Sequence, residues 1–170
     1  SKLLRHVGFP AAEVLGPEAT EDEIQGLIQR HGSVFIKPVF KGGVGKKGKS
    51  GLIGRASDLQ SALQEKERLY FAEHRHGNAY AKAHGVTFEG AVPAEQEVYF
   101  SITDDTRYRA PTMTLTHRGG VDIEELDKSE IATVPFDALT GLKAFVVANA
   151  LTDIGAPRGI ISPLVQQLPK

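Results

Sequence analysis

One glycine- and lysine-rich stretch, residues 32–57, constrains this chain more than any other part of it. Its β-branched and aromatic start, Val34 to Ile36, leads into ten residues in which glycine and lysine alternate, and a second apolar run at Leu52 and Ile53 follows. This order predicts two strands joined by a glycine loop. The stretch has six lysines and arginines and no acidic residue, whereas the net charge of all 170 residues is only -1. Because glycine amides and lysine ammonium groups both bind phosphate oxygens, the loop predicts a polyphosphate ligand.

The composition excludes several classes of protein. With 41% hydrophobic residues, the chain can bury a core as one domain or as two lobes that share a cleft. No apolar run approaches the ~20 residues of a membrane-spanning helix, and the first residues lack the apolar centre of a secretory signal, so we expect a soluble, cytoplasmic protein. Because the chain has no cysteine, disulfides, thiolate metal sites and a cysteine nucleophile are excluded.

The first half of the chain predicts helices on both sides of the glycine loop. A short helix is expected over residues 3–7. The run Thr20-Glu21-Asp22-Glu23 is typical of a capping box and predicts a helix to about Arg30. A second capping pattern, Ser57-Asp58-Leu59-Gln60, predicts a surface helix that ends near His76.

From Val86 onward the apolar period changes from helical to alternating, which indicates an antiparallel sheet with a turn at Asp104-Asp105. The predicted elements of this half are strands over 98–102, 112–116 and 131–136 and helices over 142–151 and 160–168. The fold class is therefore α+β. We expect a hairpin region over about 20–71, a second lobe over about 86–170, and a binding site in the cleft between them.

The glycine loop itself has two interpretations. Residues Gly43–Ser50 match G-x-x-x-x-G-K-[ST], the P-loop of NTPases, in which the backbone holds phosphates and the serine binds Mg²⁺. A P-loop needs a helix that starts at this motif, and Gly51 and Gly54 would each destabilise that helix by ~1 kcal/mol. The alternative is a β-hairpin flap over a triphosphate, with Lys37 projecting from the preceding strand toward the same phosphates.

Five segments of the chain also occur in an order that resembles a known family. They are the strand and glycine flap at Val34–Lys37, Gly42–Lys46 and Gly51–Ile53, then Gly8–Ala11, Phe88-Glu89 with Glu97–Tyr99, Gly119–Glu124 and Asp137–Gly141. Together they are similar to the ATP-grasp domain of succinyl-CoA synthetase β chains and of the related N-terminal part of ATP-citrate lyase. The resemblance covers nearly the whole chain and implies an ATP-grasp fold, two lobes with a nucleotide cleft between them.

The resemblance implies nucleotide-binding residues but no catalytic residue in this chain. Lys37 would bind phosphate, and the flap residues Gly43, Val44, Gly45 and Lys46 would surround the phosphates. Glu89 would lie at the adenine edge, Val92 would also contact the nucleotide, and Glu97 would reach the ribose hydroxyls, since carboxylates pair well with hydroxyl donors and ammonium groups with phosphate oxygens. The alternatives are a surface lysine at Lys37 and solvated strand residues at Glu89 and Glu97.

Three departures from the family pattern accompany these matches. The family's flap usually has arginine where this chain has Val44, and the glutamate that precedes the family's Gly-Gly-Val loop is Arg118 in this chain. No segment matches the Glu-Ile-Asn-Pro-Leu strand that carries the family's Mg²⁺ ligands, so we predict no metal ligand in this chain. We expect either a fragment that stops short of that strand or a domain that has lost it.

The resemblance implies the ATP-binding part of an ADP-forming carboxylate-CoA ligase or of an ATP-citrate-lyase-like enzyme. In such enzymes the γ-phosphoryl group of Mg-ATP passes through a phosphohistidine to an acid, and CoA then attacks the acyl phosphate. The histidine lies in a CoA-binding α-type subunit or region, which would be the partner of this chain. We expect this piece alone to be inactive. The other hypothesis is a non-catalytic nucleotide-binding or assembly module.

The remaining candidate residues favour structural roles. His74-x-His76 could contribute to a zinc site, but a third ligand is not evident and the pattern favours a frayed helix end. His117 is interpreted as a structural residue. Nucleic acid is not an expected partner, because the basic loop contains one aromatic residue and the net charge is not basic.

Overall fold

The computed structural model describes residues 6, 8–41, 51–76, 79–121 and 123–169, and it divides the chain into two compact units. Pro10–Pro93 belong to unit 1, and Ala94 onward belongs to unit 2 together with Phe9. The helix expected over 3–7 lies outside the described residues except for His6.

Unit 1 is an antiparallel sheet with two helices. Its elements are β1 (Val14–Leu15), α1 (Glu21–His31), β2 (Val34–Phe40), β3 (Gly54–Ala56), α2 (Leu59–Tyr70), β4 (Glu73–His76) and β5 (Ala79–Gly90). The strand order is β1-β5-β2-β3, and β4 pairs with the first half of β5; each of these pairings is antiparallel.

Helix α1 confirms the capping box predicted from the sequence. The Thr20 hydroxyl accepts a hydrogen bond from the Glu23 N–H (3.3 Å), and the Glu23 carboxylate accepts one from the Thr20 N–H (2.8 Å). At the other end Gly32 has φ 72°, a conformation that glycine adopts at little cost, and its N–H donates to the Ile28 carbonyl. The chain therefore leaves α1 at a fixed point and enters β2 two residues later.

The helix after the glycine loop is shorter than the sequence pattern predicts. Helix α2 begins after Asp58, whose carboxylate accepts the Ser61 N–H (2.8 Å), and it ends at Tyr70 instead of continuing to His76. Residues 73–76 form β4, paired with residues 79–82 of β5. The prediction of a frayed helix end at His74 is therefore wrong: its ring is buried on the inner side of β4 beside Phe40, and the strand pairing satisfies the backbone.

The P-loop interpretation is also wrong. Strand β2 pairs antiparallel with β3, Val34 opposite Ala56, whereas a P-loop leads directly from its strand into a helix. After the loop, residues 51–53 form no helix, and α2 starts only at Leu59. The hairpin arrangement of the two strands is as expected, while loop residues 42–50 lie outside the described residues.

Alternation along the central strands sorts unit 1 into two faces. Val34, Ile36 and Phe88 are fully buried against α1 and α2, in one core cluster. The opposite face of the sheet, which we call the Lys37 face, carries Phe35, Lys37, Arg55, Thr87 and Glu89. The strand from Ala79 to Gly90 thus pairs with β2 in unit 1, although the sequence pattern assigns residues from 86 onward to the second lobe.

Unit 2 is a three-stranded sheet with two helices on one side. Its elements are β6 (Tyr99–Asp105), β7 (Ala110–Thr116), two short 3₁₀ helices (Ile123–Glu125 and Lys128–Glu130), β8 (Ala132–Pro135), α3 (Ala144–Asp153) and α4 (Arg158–Gln167). The strand order is β6-β7-β8, antiparallel throughout, which confirms the predicted pair and the third strand. Met113 and Leu115 of β7 are buried against Val147 and Leu151 of α3. None of the helices in the described ranges is long and apolar enough to span a bilayer.

The turn between β6 and β7 contains a strained residue, and this gives a first testable prediction. Arg109 has φ 51°, in the left-handed region that disfavours a side chain. We expect Arg109→Gly to raise the free energy of unfolding by about 0.5–1 kcal/mol, measured by urea denaturation, because strain relief outweighs the added chain entropy. Arg107→Gly in the same turn should lower it. Equal losses in both variants would contradict the prediction.

Candidate functional site

The Lys37 face brings two of the predicted nucleotide-binding residues into contact. In the antiparallel register of β2 and β5, Lys37 lies opposite Thr87 and Phe35 lies opposite Glu89, so Lys37 and Glu89 are diagonal neighbours on one face. The Lys37 Nζ lies 2.5 Å from the Glu89 Oε2. The side chains are 37% and 30% exposed, which leaves both groups accessible to a ligand. A ligand that binds either group also interacts electrostatically with the other.

Arg55 is a candidate residue on the same face that the sequence analysis counted as a charge but gave no role. It lies directly opposite Phe35 in the β2–β3 register, and its guanidinium stacks over the Phe35 ring at 5.6 Å. Its Nη2 donates to the Ser33 hydroxyl at 3.2 Å. Among the described residues Arg55 has no carboxylate partner, unlike Lys37. The sequence does contain a signal for this role. Arg55 alternates with the buried Gly54 and Ala56 in β3, as Lys37 alternates with buried residues in β2, so both side chains could have been assigned to one exposed face.

Val92 lies just after β5, where the chain leaves the sheet of unit 1. The preceding Ala91 N–H donates to the Ser33 carbonyl at 2.9 Å, which fixes the exit of the strand. Val92 itself is 61% exposed. An exposed apolar side chain at this position is available for contact with a flat apolar group.

Glu97 lies in unit 2, immediately before β6. Its carbonyl accepts the Gly119 N–H at 2.9 Å, and the neighbouring Gln96 Nε2 donates to the His117 carbonyl at 2.5 Å. The pairing of β6 with β7, Tyr99 opposite Thr116, thus brings Gln96 and His117 together, although they lie 21 residues apart in the chain. The side chain of Glu97 is exposed and reaches over Gly120.

Several predicted site residues lie outside the described residues. These are the flap residues Gly43, Val44, Gly45 and Lys46, together with Ser50. Their roles remain predictions from the sequence.

Arg118, the charge reversal noted in the sequence, has a partner. Its Nη1 lies 2.5 Å from the Glu130 Oε1. The hydrogen bond from Arg118 holds the pKa of Glu130 below its usual value, and the Asp127 N–H adds to this effect. The arginine therefore ties the end of β7 to the 3₁₀ helix before β8.

The histidines do not assemble into a metal site in the part of the chain that the structure describes. No group of three or more histidine, aspartate or glutamate side chains there could hold a metal ion. His74 is buried, and its Nε2 has no hydrogen-bond partner among the described residues; the Nδ1 of His117 is in the same situation.

A comparison of the sequence with protein-family models identifies the class of protein. The model of the ATP-grasp domain family matches residues 2–170. The chain therefore belongs to the ATP-grasp family, and its fold is of the α+β class.

Curated relatives specify the branch of the family that this chain is similar to. The chain is 24% identical over 163 residues to the β subunit of succinate-CoA ligase [ADP-forming] of Bordetella petrii, covering 93% of this chain and 42% of that protein. It is 32% identical over 139 residues to the ADP-forming sulfoacetate-CoA ligase subunit SauC of Bilophila wadsworthia, covering 79% of this chain and 35% of the relative. The chain thus spans less than half the length of these relatives.

Solved structures confirm the fold. ATP citrate lyase from Methanothrix soehngenii, in complex with citrate and coenzyme A, aligns with a TM-score of 0.62 at 21% identity over 92% of this chain and 35% of the lyase. The dinucleotide forming acetyl-coenzyme A synthetase 1 of Ca. Korarchaeum cryptofilum, in complex with coenzyme A and Ca-AMPCP, aligns with a TM-score of 0.65 at 16% identity over 98% of this chain and 73% of that chain.

Proposed function

We propose that this chain binds ATP as the nucleotide-binding part of an ADP-forming acid-CoA ligase or an ATP-citrate-lyase-like enzyme. The observation that carries the proposal is the Lys37–Glu89 pair, because it joins a phosphate-binding group and a hydrogen-bond acceptor on one face of a sheet. Two relatives are named as ADP-forming CoA ligase subunits, and this supports the reaction class.

The proposed roles follow from the chemistry of each group. The Lys37 ammonium binds phosphate oxygens, and Arg55 supplies a second cation on the same face. The Glu89 carboxylate accepts a hydrogen bond from the adenine amino group, Val92 contacts the apolar base, and Glu97 accepts hydrogen bonds from the ribose hydroxyls. The flap residues Gly43–Lys46 surround the phosphates with backbone amides and one further ammonium group.

In the whole enzyme the γ-phosphoryl group would pass through a histidine of an α-type, CoA-binding partner to an acid, and CoA would attack the resulting acyl phosphate. The dinucleotide forming acetyl-coenzyme A synthetase 1 of Ca. Korarchaeum cryptofilum has also been solved with a phosphorylated phosphohistidine segment, which supports this route. Mg²⁺ bound to the nucleotide would neutralise charge on the phosphates. No residue of this chain is assigned to the metal, because no segment of the sequence matches the strand that carries the family's Mg²⁺ ligands.

A pair of substitutions in the full-length protein tests nucleotide binding. We expect Lys37→Ala to weaken Mg-ATP binding by roughly ten- to a hundredfold, the value of a hydrogen bond to a charged group, measured by isothermal titration. Ser50→Ala should leave the affinity within about threefold, since the loop is not followed by a P-loop helix. Loss of binding in Ser50→Ala but not in Lys37→Ala would refute the assignment.

The reaction is tested separately. The full-length protein, assayed with its CoA-binding partner, should release ADP in repeated turnovers only when both an acid and CoA are present, whereas ATP alone should give at most one ADP per phosphorylated histidine. A protein that binds ATP yet forms no ADP with any carboxylic acid would instead be a non-catalytic nucleotide-binding module.

A further inference from the structure

Two consecutive glycines in unit 2 are in unusually close contact with Glu97. A Cβ atom on Gly119 would lie 2.7 Å from both the Glu97 carbonyl carbon and the Val98 nitrogen. A Cβ atom on Gly120 would overlap the Oε2 of the Glu97 carboxylate. Contacts this close do not occur between real side chains and their neighbours, so the absence of a side chain at both positions is what allows the present arrangement.

The two contacts differ in what would yield to a larger residue. At Gly119 the neighbours are backbone atoms, held by the hydrogen bond from the Gly119 N–H to the Glu97 carbonyl at 2.9 Å. At Gly120 the neighbour is the end of a flexible side chain. A methyl group at 120 would therefore displace the carboxylate and leave the backbone of β6 in place.

We propose that Gly119 and Gly120 are positioning residues that determine where the Glu97 carboxylate lies, and hence how well the protein distinguishes a ribose from a sugar without hydroxyls. Gly119 fixes the backbone of Glu97, and Gly120 leaves the space that its carboxylate occupies. The inference rests on the proposed role of Glu97 toward ribose hydroxyls. The hydrogen bond between Gln96 and the His117 carbonyl joins the same two segments and supports the same arrangement.

The chain offers a matched control for the backbone strain that any such substitution introduces. Gly120 has φ 72° and Gly141 has φ 69°, so alanine is equally strained at both positions. Both lie in unit 2. A Cβ on Gly141, however, would have no atom within 4 Å. The two alanine variants therefore share the strain and differ in the contact with Glu97.

The measurement is the ratio of the dissociation constants for 2′,3′-dideoxy-ATP and ATP in the full-length protein. We expect the unsubstituted protein to prefer ATP by roughly tenfold or more, because the dideoxy compound leaves the carboxylate without its donors. Gly120→Ala should reduce this preference to about threefold or less. Gly141→Ala should lose similar stability yet keep the preference within about twofold.

The outcomes separate the inference from the function on which it rests. If Glu97→Ala keeps the preference for ATP, the proposed role of Glu97 is wrong. If Glu97→Ala abolishes the preference and Gly120→Ala keeps it, the nucleotide-binding role stands and the positioning inference is overturned. Should Gly120→Ala fail to fold, Gln96→Ala is the second test, because Gln96 is exposed and its hydrogen bond joins the same two segments. The preference for ATP should then fall by about twofold to threefold, and an unchanged preference would overturn the inference.

Discussion

Phe88→Ala should lower the free energy of unfolding by about 3–5 kcal/mol, the usual cost of removing a buried aromatic ring. Phe88 is fully buried in β5, opposite Leu15 of β1 and Ile36 of β2, and belongs to the core cluster that α1 and α2 complete. The loss would be a large share of the 5–15 kcal/mol by which ordinary domains are stable. Urea denaturation measures it, and hydrogen exchange should show the largest loss of protection in β2 and β5.

Phe71→Ala is the matched control for this prediction. Phe71 is 63% exposed, and its ring lies 4.7 Å from the Tyr70 ring and 5.6 Å from the Lys82 ammonium. We expect a loss of less than about 1 kcal/mol, since the ring is already mostly in water. Equal losses for the two phenylalanines would mean that the core of unit 1 is not centred on β5.

The sequence predicted best those elements whose signals are local. The capping box before α1 is complete within four residues, and the alternation of β6 and β7 can be read along each strand by itself. The hairpin of β2 and β3 follows from an apolar run and the glycine loop after it, but β3 begins at Gly54, one residue after the apolar pair Leu52 and Ile53 that predicted the second strand. In each of these cases the backbone and its nearest side chains carry the information.

The elements that sequence reasoning missed depend on partners distant in the chain. Strand β4 contains Glu73, His74 and Arg75, residues with no apolar alternation, and it forms because its backbone pairs with β5. The first half of β5 alternates alanine with larger polar or aromatic residues, and alanine contributes a weak signal. The local sequence after Tyr70 therefore favours a longer helix, whereas the structure forms a strand because of its pairing with β5.

The same limit applies to the candidate site. Lys37 and Glu89 were identified separately, by resemblance, for opposite ends of a nucleotide. Their contact depends on the register of two strands whose residues lie 52 positions apart, and nothing in either segment specifies that register. The approach of Gly120 to Glu97 depends in the same way on the pairing of β6 with β7.

The contact between Lys37 and Glu89 leads to a prediction in which charge and hydrogen bonding can be separated. As long as Glu89 is ionised, it offsets the charge of Lys37 and repels phosphate oxygens. Glu89→Gln removes the charge but keeps an oxygen acceptor for the adenine amino group. We expect this variant to bind both ATP and inorganic tripolyphosphate more tightly, by roughly fivefold to tenfold at low salt, with the ratio of the two affinities nearly unchanged.

Glu89→Ala removes the acceptor as well as the charge. Tripolyphosphate should again bind more tightly, because it has no base and is affected only by the loss of the negative charge. ATP gains the same electrostatic benefit but loses the hydrogen bond to its base, so its preference over tripolyphosphate should fall by about tenfold relative to Glu89→Gln. Calorimetric titration of both ligands into both variants measures the difference. If the two variants have the same ratio of ATP to tripolyphosphate affinity, Glu89 does not contact the adenine. If neither variant changes any affinity, the Lys37–Glu89 pair is an ordinary surface ion pair remote from the nucleotide, because a group that faced the phosphates could not lose its charge without effect.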